Sequence, residues 1–309
     1  MRKASTLILI VLAWAAAPAQ QSPTQKLPET TLKVDVQLVN VFVTVTDANG
    51  APVAGLKKDN FNVLEDGRPQ TISVFDKESA LPLSIALAID TSLSTRHDLP
   101  LEQTSAKRFA RDIMRPVDAL SVFAFSEAVS QATSYTPDLR RIDEGIDHIR
   151  LGAATALFDA VYLASRSLDR RQGRKVLVLI TDGGDTISKF NYQQAARAAE
   201  EAEALVYSII VVPIENSAGR DTGGEHALIQ LSEDTGGKFY YASSVSQLDD
   251  AFREISDELR TQYLLAYYPT PSVSYSQFRR IQVKIKAAAD ESYQVRHRVG
   301  YYTTKSPDF

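Results

Sequence analysis

The chain contains no cysteine. That excludes thiol catalysis, thiolate metal sites and any disulfide framework, so stability has to come from a packed core. It has no basic stretch that would track a phosphate backbone. The 34 Lys and Arg stand against 38 Asp and Glu, for a formal net charge of -4, and nucleic acid is therefore not the expected partner. No apolar run reaches the roughly 20 residues of a spanning helix. There is no G-x-S-x-G elbow, no P-loop and no Gly-rich dinucleotide fingerprint. The single tryptophan, Trp14, lies near the N-terminus.

What is present is ordinary in composition. The 309 residues are 44% hydrophobic and 23% charged, as expected of a globular protein with one large domain or two modest ones. Residues 1–19 read as an export signal: Arg2 and Lys3, a short apolar run over 7–17, and the small-x-small site Ala17-Pro18-Ala19. An uncleaved N-terminal anchor is the alternative. Cleavage would remove Arg2 and Lys3, taking the charge from -4 to -6. The mature chain would then be periplasmic or extracellular, without a membrane span. Residues 20–30, polar and holding Pro23 and Pro28, read as a linker.

Residues 31–79 carry strand signals. Val39, Val41, Val43 and Val45 alternate with other residues, and Asn49-Gly50 supplies a turn. Phe61 and Val63 belong to a second strand, Asp66-Gly67 to a second hairpin turn, and Ile72 and Val74 to the returning strand. Residues 80–261 alternate short apolar runs (83–89, 119–125, 176–180, 206–212) with helical patterns. Such alternation predicts βαβ units and a doubly wound α/β domain with a mainly parallel sheet. Residues 262–309 return to strands: 263–268, then Ile281, Val283 and Ile285, then Val295, His297 and Val299. About 45 residues on either side rarely fold alone. The parsimonious expectation is a β-sandwich built from both flanks, with the α/β domain inserted in it. Two separate small β units are the alternative.

Ligands of open parallel sheets bind beyond the carboxyl ends of the strands, near the switch point of strand order. Asp90-Thr91-Ser92-Leu93-Ser94 follows one buried strand and Thr181-Asp182-Gly183-Gly184-Asp185 another, while Gly152-Ala153-Ala154-Thr155 precedes a helix. These loops can converge. Their donors are carboxylates and hydroxyls, oxygen ligands suited to a hard cation such as Mg²⁺. Two carboxylates match the charge of the ion and leave it able to take an anionic oxygen from outside. Alone, each loop has a simpler reading: Asp, Ser and Thr cap helices, and Asp-Gly makes turns.

Together, Asp90-x-Ser92-x-Ser94, Thr155 and Thr181-Asp182-Gly183 resemble the metal-ion-dependent adhesion site of von Willebrand factor A domains. The resemblance covers roughly residues 82–262, and the flanks are similar to those of exported bacterial members. It implies Asp90, Ser92, Ser94, Thr155 and Asp182 as the metal site, Mg²⁺ as the cofactor with Mn²⁺ or Ca²⁺ as alternatives, and no catalysis. It also implies a protein or cell-envelope partner presenting a carboxylate, and coupling of ligation to the last helix, residues 248–259. Ala153-Ala154 stands where many members have Gly.

Rival readings are weaker. A haloacid-dehalogenase phosphatase would want a second carboxylate where Ser92 stands. His97, His148 and His226 read as surface residues, and His297 as a satisfied strand residue. Glu200, Glu201 and Glu203 read as a solvated helix face, as do Asp249, Asp250 and Glu254, and Asp185 as an exposed loop carboxylate. Two other functions stay open: an assembly protein whose metal only stabilises the loops, and a metal-dependent hydrolase.

Overall fold

A computed structural model describes residues 38–77, 81–95, 99–212, 222–269, 278–286 and 292–303, with the backbone alone for Ser94 and Thr222. The expected export signal and linker, and His97, lie outside the described residues. No helix among the described residues is long and apolar enough to cross a membrane.

The described residues form fourteen strands and six α-helices, numbered in chain order. The N-terminal flank supplies β1 (Val39–Thr46), β2 (Phe61–Glu65), β3 (Arg68–Gln70) and β4 (Ile72–Lys77). The middle holds β5 (Leu83–Asp90), α1 (Leu99–Ile113), β6 (Ala119–Phe125), β7 (Val129–Thr136), α2 (Leu139–Asp147) and α3 (Leu157–Asp169). It continues with β8 (Arg174–Thr181), α4 (Tyr192–Glu201), β9 (Ala204–Val211), α5 (Thr222–Thr235), β10 (Lys238–Ala242) and α6 (Val245–Thr261). The C-terminal flank adds β11 (Tyr263–Tyr267), β12 (Phe278–Ile285), β13 (Gln294–Arg296) and β14 (Gly300–Tyr302).

The middle elements form the expected α/β fold. Its six-stranded sheet runs β10-β9-β8-β5-β6-β7, parallel throughout except for the antiparallel edge strand β7. Every residue of β5 is buried, because helices cover both faces of the sheet. Ile85, Leu87 and Ile89 pack on one face with Phe109 of α1 and Phe252 of α6. Ala86 and Ala88 pack on the other, against Leu157 and Ala160 of α3. The chain winds from β5 to β6 on one side and from β8 to β10 on the other, so the switch point lies between β5 and β8.

The flanks pair with each other. One sheet runs β13-β1-β11-β4 and a second β14-β12-β2-β3. Their inner faces share one apolar core containing Val41, Val43, Phe61, Val63, Leu265 and Val283. Buried Glu65 is held by Arg279 at 2.9 Å, Tyr267 at 2.7 Å and Tyr301 at 2.9 Å.

Two strand expectations need correction. The strand returning from Asp66-Gly67 is only β3, and β4 crosses to the other sheet. Tyr267 pairs with Ile72 and Ala266 with Val74, so Ser73 is an extra residue in β4. That bulge turns Val74 outward and lets Ile72 and Phe75 face the core. Val295 to Val299 is likewise not one strand. β13 pairs with β1 and β14 with β12. His297 sits at the corner between them, its Nε2 accepting from the Val283 N–H at 3.1 Å.

Candidate metal centre

Asp90 ends β5 at the switch point and is fully buried. Its Oδ1 accepts from the Ser92 N–H at 2.8 Å, and its Oδ2 accepts from the Thr181 hydroxyl, at the end of β8, at 2.7 Å. Burial pushes the Asp90 carboxyl up to about 6, against these hydrogen bonds, which pull it down; the nearby Asp182 charge adds to the rise. Among the described residues no Lys or Arg pairs with Asp90. The loop after it closes as a 3-10 turn, Leu93–Thr95, with the Thr95 hydroxyl donating to the carbonyls of Asp90 and Ser92 at 3.2 and 3.0 Å. Ser92 is buried. Ser94 lies on the turn, and its side chain falls outside the described residues.

Three loops are stitched together here. The Gly152 N–H donates to the Thr91 carbonyl at 2.8 Å, joining the loop before α3 to the loop after β5. The N–H groups of Thr186 and Ile187 donate to the Thr155 carbonyl at 2.9 and 3.2 Å, joining the loop after β8 to the same segment. Thr181 and Asp90 close the triangle. Close approach explains Gly152: a Cβ there would lie 2.2 Å from Ser126 Oγ and 2.3 Å from Glu127 Oε2. Gly183, with φ +90°, supplies the left-handed backbone after Asp182, with Glu225 packed on it. The half-buried Asp182 accepts from the Gly184 N–H through Oδ1 at 3.2 Å.

Thr155 is buried but does not cap the following helix. That cap comes from across the loop: Asp185 Oδ1 accepts from the N–H groups of Leu157 and Phe158 at 2.9 and 3.4 Å, and from the Ser188 hydroxyl at 2.5 Å. Asp185 is thus a half-buried structural acceptor, not the exposed loop carboxylate expected. Asp159 of α3 answers by accepting from the N–H groups of Lys189 and Phe190 at 2.8 and 2.9 Å. Glu127 accepts from the Ala153 N–H at 2.8 Å, a bond that holds its carboxyl below the usual range. These supports were not found by sequence reasoning. The signal available was the acid–Ser/Thr content of 185–188, which reads as turn chemistry until its partner helix is known.

The acidic run on α4 is also not a solvated face. Glu201 is buried beside Arg197 at 2.7 Å and Arg166 at 3.7 Å. Half-buried Glu200 is pushed up to about 7, by burial first and then by Asp234. Glu203 alone is exposed, paired with Arg298 at 3.0 Å.

Oxygen donors make up the whole candidate set. Among the described residues no group of three or more His, Cys, Asp or Glu is placed to hold a metal. A cation here would therefore need the hydroxyls of Ser92, Ser94 and Thr155 beside the carboxylates of Asp90 and Asp182. That donor set fits a hard divalent ion rather than a soft one.

A doubly wound sheet with three hydrogen-bonded loops at its switch point defines an α/β domain with its candidate site at the carboxyl edge. The chain belongs to the von Willebrand factor type A domain family: the family's model matches residues 84–254, more than half of the 309 residues. Proximal thread matrix protein 1 from the mussel byssus is similar in fold, with a TM-score of 0.51 at 16% identity over 63% of this chain and 51% of that one. The conserved hypothetical protein BatB from Bacteroides thetaiotaomicron gives 0.47 at 18% identity, over 58% of this chain and 100% of its own. The vWF domain of the type V pili tip protein Mfa5 from Porphyromonas gingivalis gives 0.47 at 11%, over 58% and 95%. No curated protein sequence matches the chain.

Proposed function

We propose that this is an exported, non-catalytic binding protein. Asp90, Ser92, Ser94, Thr155 and Asp182 hold a divalent cation, Mg²⁺ ahead of Mn²⁺ or Ca²⁺, and with it grip an acidic group on a protein or cell-envelope partner. The observation that carries this reading is the Asp90 carboxylate, buried at the switch point without a basic partner among the described residues. A buried charge left uncompensated is costly, and a hard cation is the counter-charge its surroundings suit. When bound, the ion supplies an electrophilic position for an outside carboxylate oxygen.

The chain's own residues prepare the site. Thr181 and the Ser92 N–H fix the orientation of the Asp90 carboxylate. Asp185 takes over the capping of α3, so the Thr155 hydroxyl is not committed to it. Gly183 turns the backbone directly after Asp182.

The test is a thermal melt of the protein in excess Mg²⁺ and in chelator, beside Asp90→Ala. Metal at a hundredfold excess over its Kd stabilises by about 2.7 kcal/mol, which is about 5–10 °C for a domain of this size. The shift is expected in the parent and not in the variant. No shift, or an equal one in both, sinks the reading.

A further inference from the structure

We propose that the outer face of the second flank sheet, β14-β12-β2-β3, is a docking surface for an anionic lipid membrane. The surface lies apart from the candidate metal centre and does not depend on it. Charge is segregated in this chain. Residues 57–70 and 278–286, which hold β2, β3 and β12, carry seven Lys and Arg against three Asp and Glu. They contribute +4 to a chain whose total is -4, which leaves -8 for the remainder. Counting Asp290 and Glu291, which lie outside the described residues, still leaves seven basic residues against five acidic ones. Neither segment is a basic stretch by itself; the antiparallel pairing of β2 with β12 brings the two together.

Pairing decides which side chains share the face. Ile281 and Val283 of β12 point into the sandwich core with Phe61 and Val63 of β2. Alternation therefore puts Arg280, Gln282 and Lys284 on the opposite side, where all three are exposed. Lys286 continues the row, its N–H donating to the Asn60 carbonyl at 2.8 Å, and exposed Lys57 and Lys58 stand at the same end of the sheet. Among the described residues none of these five cations pairs with a carboxylate. The acids of the two segments do not neutralise them. Glu65 is buried in the sandwich and held by Arg279 at 2.9 Å. Asp66 accepts from the Arg280 N–H at 3.0 Å and lies 3.9 Å from Arg279. Asp59 is exposed beside Lys58 and offsets one charge. A solvated sheet face is ordinarily polar, but one that carries unpaired charge of a single sign on an acidic protein attracts anions.

Shape and setting select the partner. The row from Arg280 to Lys286 spans about 20 Å at about 3.4 Å per residue, so its cations cannot converge on one anion. Leu64 of β2 and exposed Pro69 of β3, paired across the strands, lie beside Gln282 on the same side. A leaflet offers many anionic headgroups in one plane with an apolar layer beneath them, and suits both the cations and this apolar pair. A soluble polyanion offers the apolar pair nothing. The α/β fold sits on the other flank sheet: Phe42 of β1 packs against its core, and Thr44 donates to Glu258 of α6 at 3.0 Å. Arg174, the first residue of β8, donates to Gln262 at the flanks, whereas Thr181, the last, donates to Asp90. Docking by the basic face therefore leaves the candidate metal centre at the far end of the sheet, clear of the leaflet.

The test is co-sedimentation with vesicles of phosphatidylcholine alone and of equal parts phosphatidylcholine and phosphatidylglycerol, at low salt and in chelator, with labelled poly-Glu as a soluble polyanion. The proteins are the parent, the triple variant Arg280→Gln/Lys284→Gln/Lys286→Gln, and Arg140→Gln/Arg170→Gln/Arg253→Gln, which removes the same charge from exposed positions elsewhere. The parent is expected to bind the anionic vesicles and not the neutral ones. Each cation removed from the face is expected to cost about fivefold, hence about a hundredfold for the triple variant, and the control triple about twofold at most. Asp90→Ala is expected to bind as the parent does. Binding of neutral and anionic vesicles alike, or equal loss in the two triple variants, overturns the proposal. So does loss of vesicle binding in Asp90→Ala, which would place the contact at the other end of the sheet. Poly-Glu held tightly by a parent that leaves the vesicles in solution would assign the face to a soluble acidic partner and overturn it as well. Thermal melts of the variants show that each remains folded.

Discussion

Asp90 is the buried carboxylate of the candidate site, and its environment makes a pH prediction. Its carboxyl sits at about 6 in the folded chain against an ordinary value of 3.8, with burial the largest cause. A folded value above the unfolded one means that the proton favours folding. That contribution is full below about pH 4 and is lost as pH rises through about 6, a difference of about 3 kcal/mol. In chelator, Asp90→Asn should therefore gain on the parent as pH rises from about 4 to about 7. Urea melts of both proteins across that range check it; a constant gap would show that Asp90 is not the titrating group. A cation held by Asp90 would reverse the sense, because cation and proton would compete for the same oxygens. The Mg²⁺ shift of the parent should shrink as pH falls below about 6. The placement of Asp90, Ser92, Ser94, Thr155 and Asp182 beside strand ends or a helix start was legible in the sequence, because buried apolar runs mark those ends. The roles of Asp185 and Glu201 were not. Each is decided by a partner far along the chain, Leu157 for the first and Arg166 for the second.

At the scale of elements, legibility followed burial. β5, β6 and β8 are covered on both faces and read as unbroken apolar runs. β7, Val129–Thr136, is the sheet's antiparallel edge, mostly exposed and spelled VSQATSYT; its polar sequence gives no strand signal and it was not expected. The split of β13 from β14 was hidden for another reason. Val295, His297 and Val299 keep the alternation of a strand while the chain changes sheets at His297. The α3 start illustrates how elements serve the site. Ala156, its N-cap residue, has no capping side chain, so Asp185 supplies the acceptor from the β8 loop and ties that loop to the Thr155 segment. Asp185→Ala should cost about 1 kcal/mol and also weaken Mg²⁺ binding, while Asp185→Asn, which keeps an acceptor, should cost less. Melts with and without Mg²⁺ separate the two effects. A stability loss with unchanged Mg²⁺ affinity would make the cap purely structural.

A buried polar network at the end of α6 joins the α/β fold to both flanks. Glu258 Oε1 accepts from the Tyr207 hydroxyl of β9 at 2.8 Å and from the Thr44 hydroxyl of β1 at 3.0 Å, while Oε2 pairs with Arg296 of β13. Gln262, leading into β11, donates to Thr44 at 3.0 Å and accepts from Arg174 of β8, which also donates to the Leu259 carbonyl at 2.6 Å. One carboxylate thus links the last helix of the α/β fold, its sheet and both flanks. Removing one member of a buried pair leaves its partner's charge uncompensated, so Glu258→Ala should cost about 3–5 kcal/mol. Arg296→Ala leaves the more buried Glu258 charge with only the Tyr207 and Thr44 hydroxyls on it, so it should cost at least as much. The double variant should cost less than the sum, with a coupling of about 0.5–3 kcal/mol. Denaturant melts of the four proteins close that cycle, and additive losses would mean that the two residues act independently. The same bonds bear on any movement of α6. A shift of its last turn has to break the Glu258 and Leu259 bonds to β1, β8, β9 and β13 together. Amide exchange over 255–261 should therefore be unchanged by Mg²⁺ in the parent and respond to it only in Glu258→Ala; a Mg²⁺ response in the parent would show that the network yields to the site instead of resisting it.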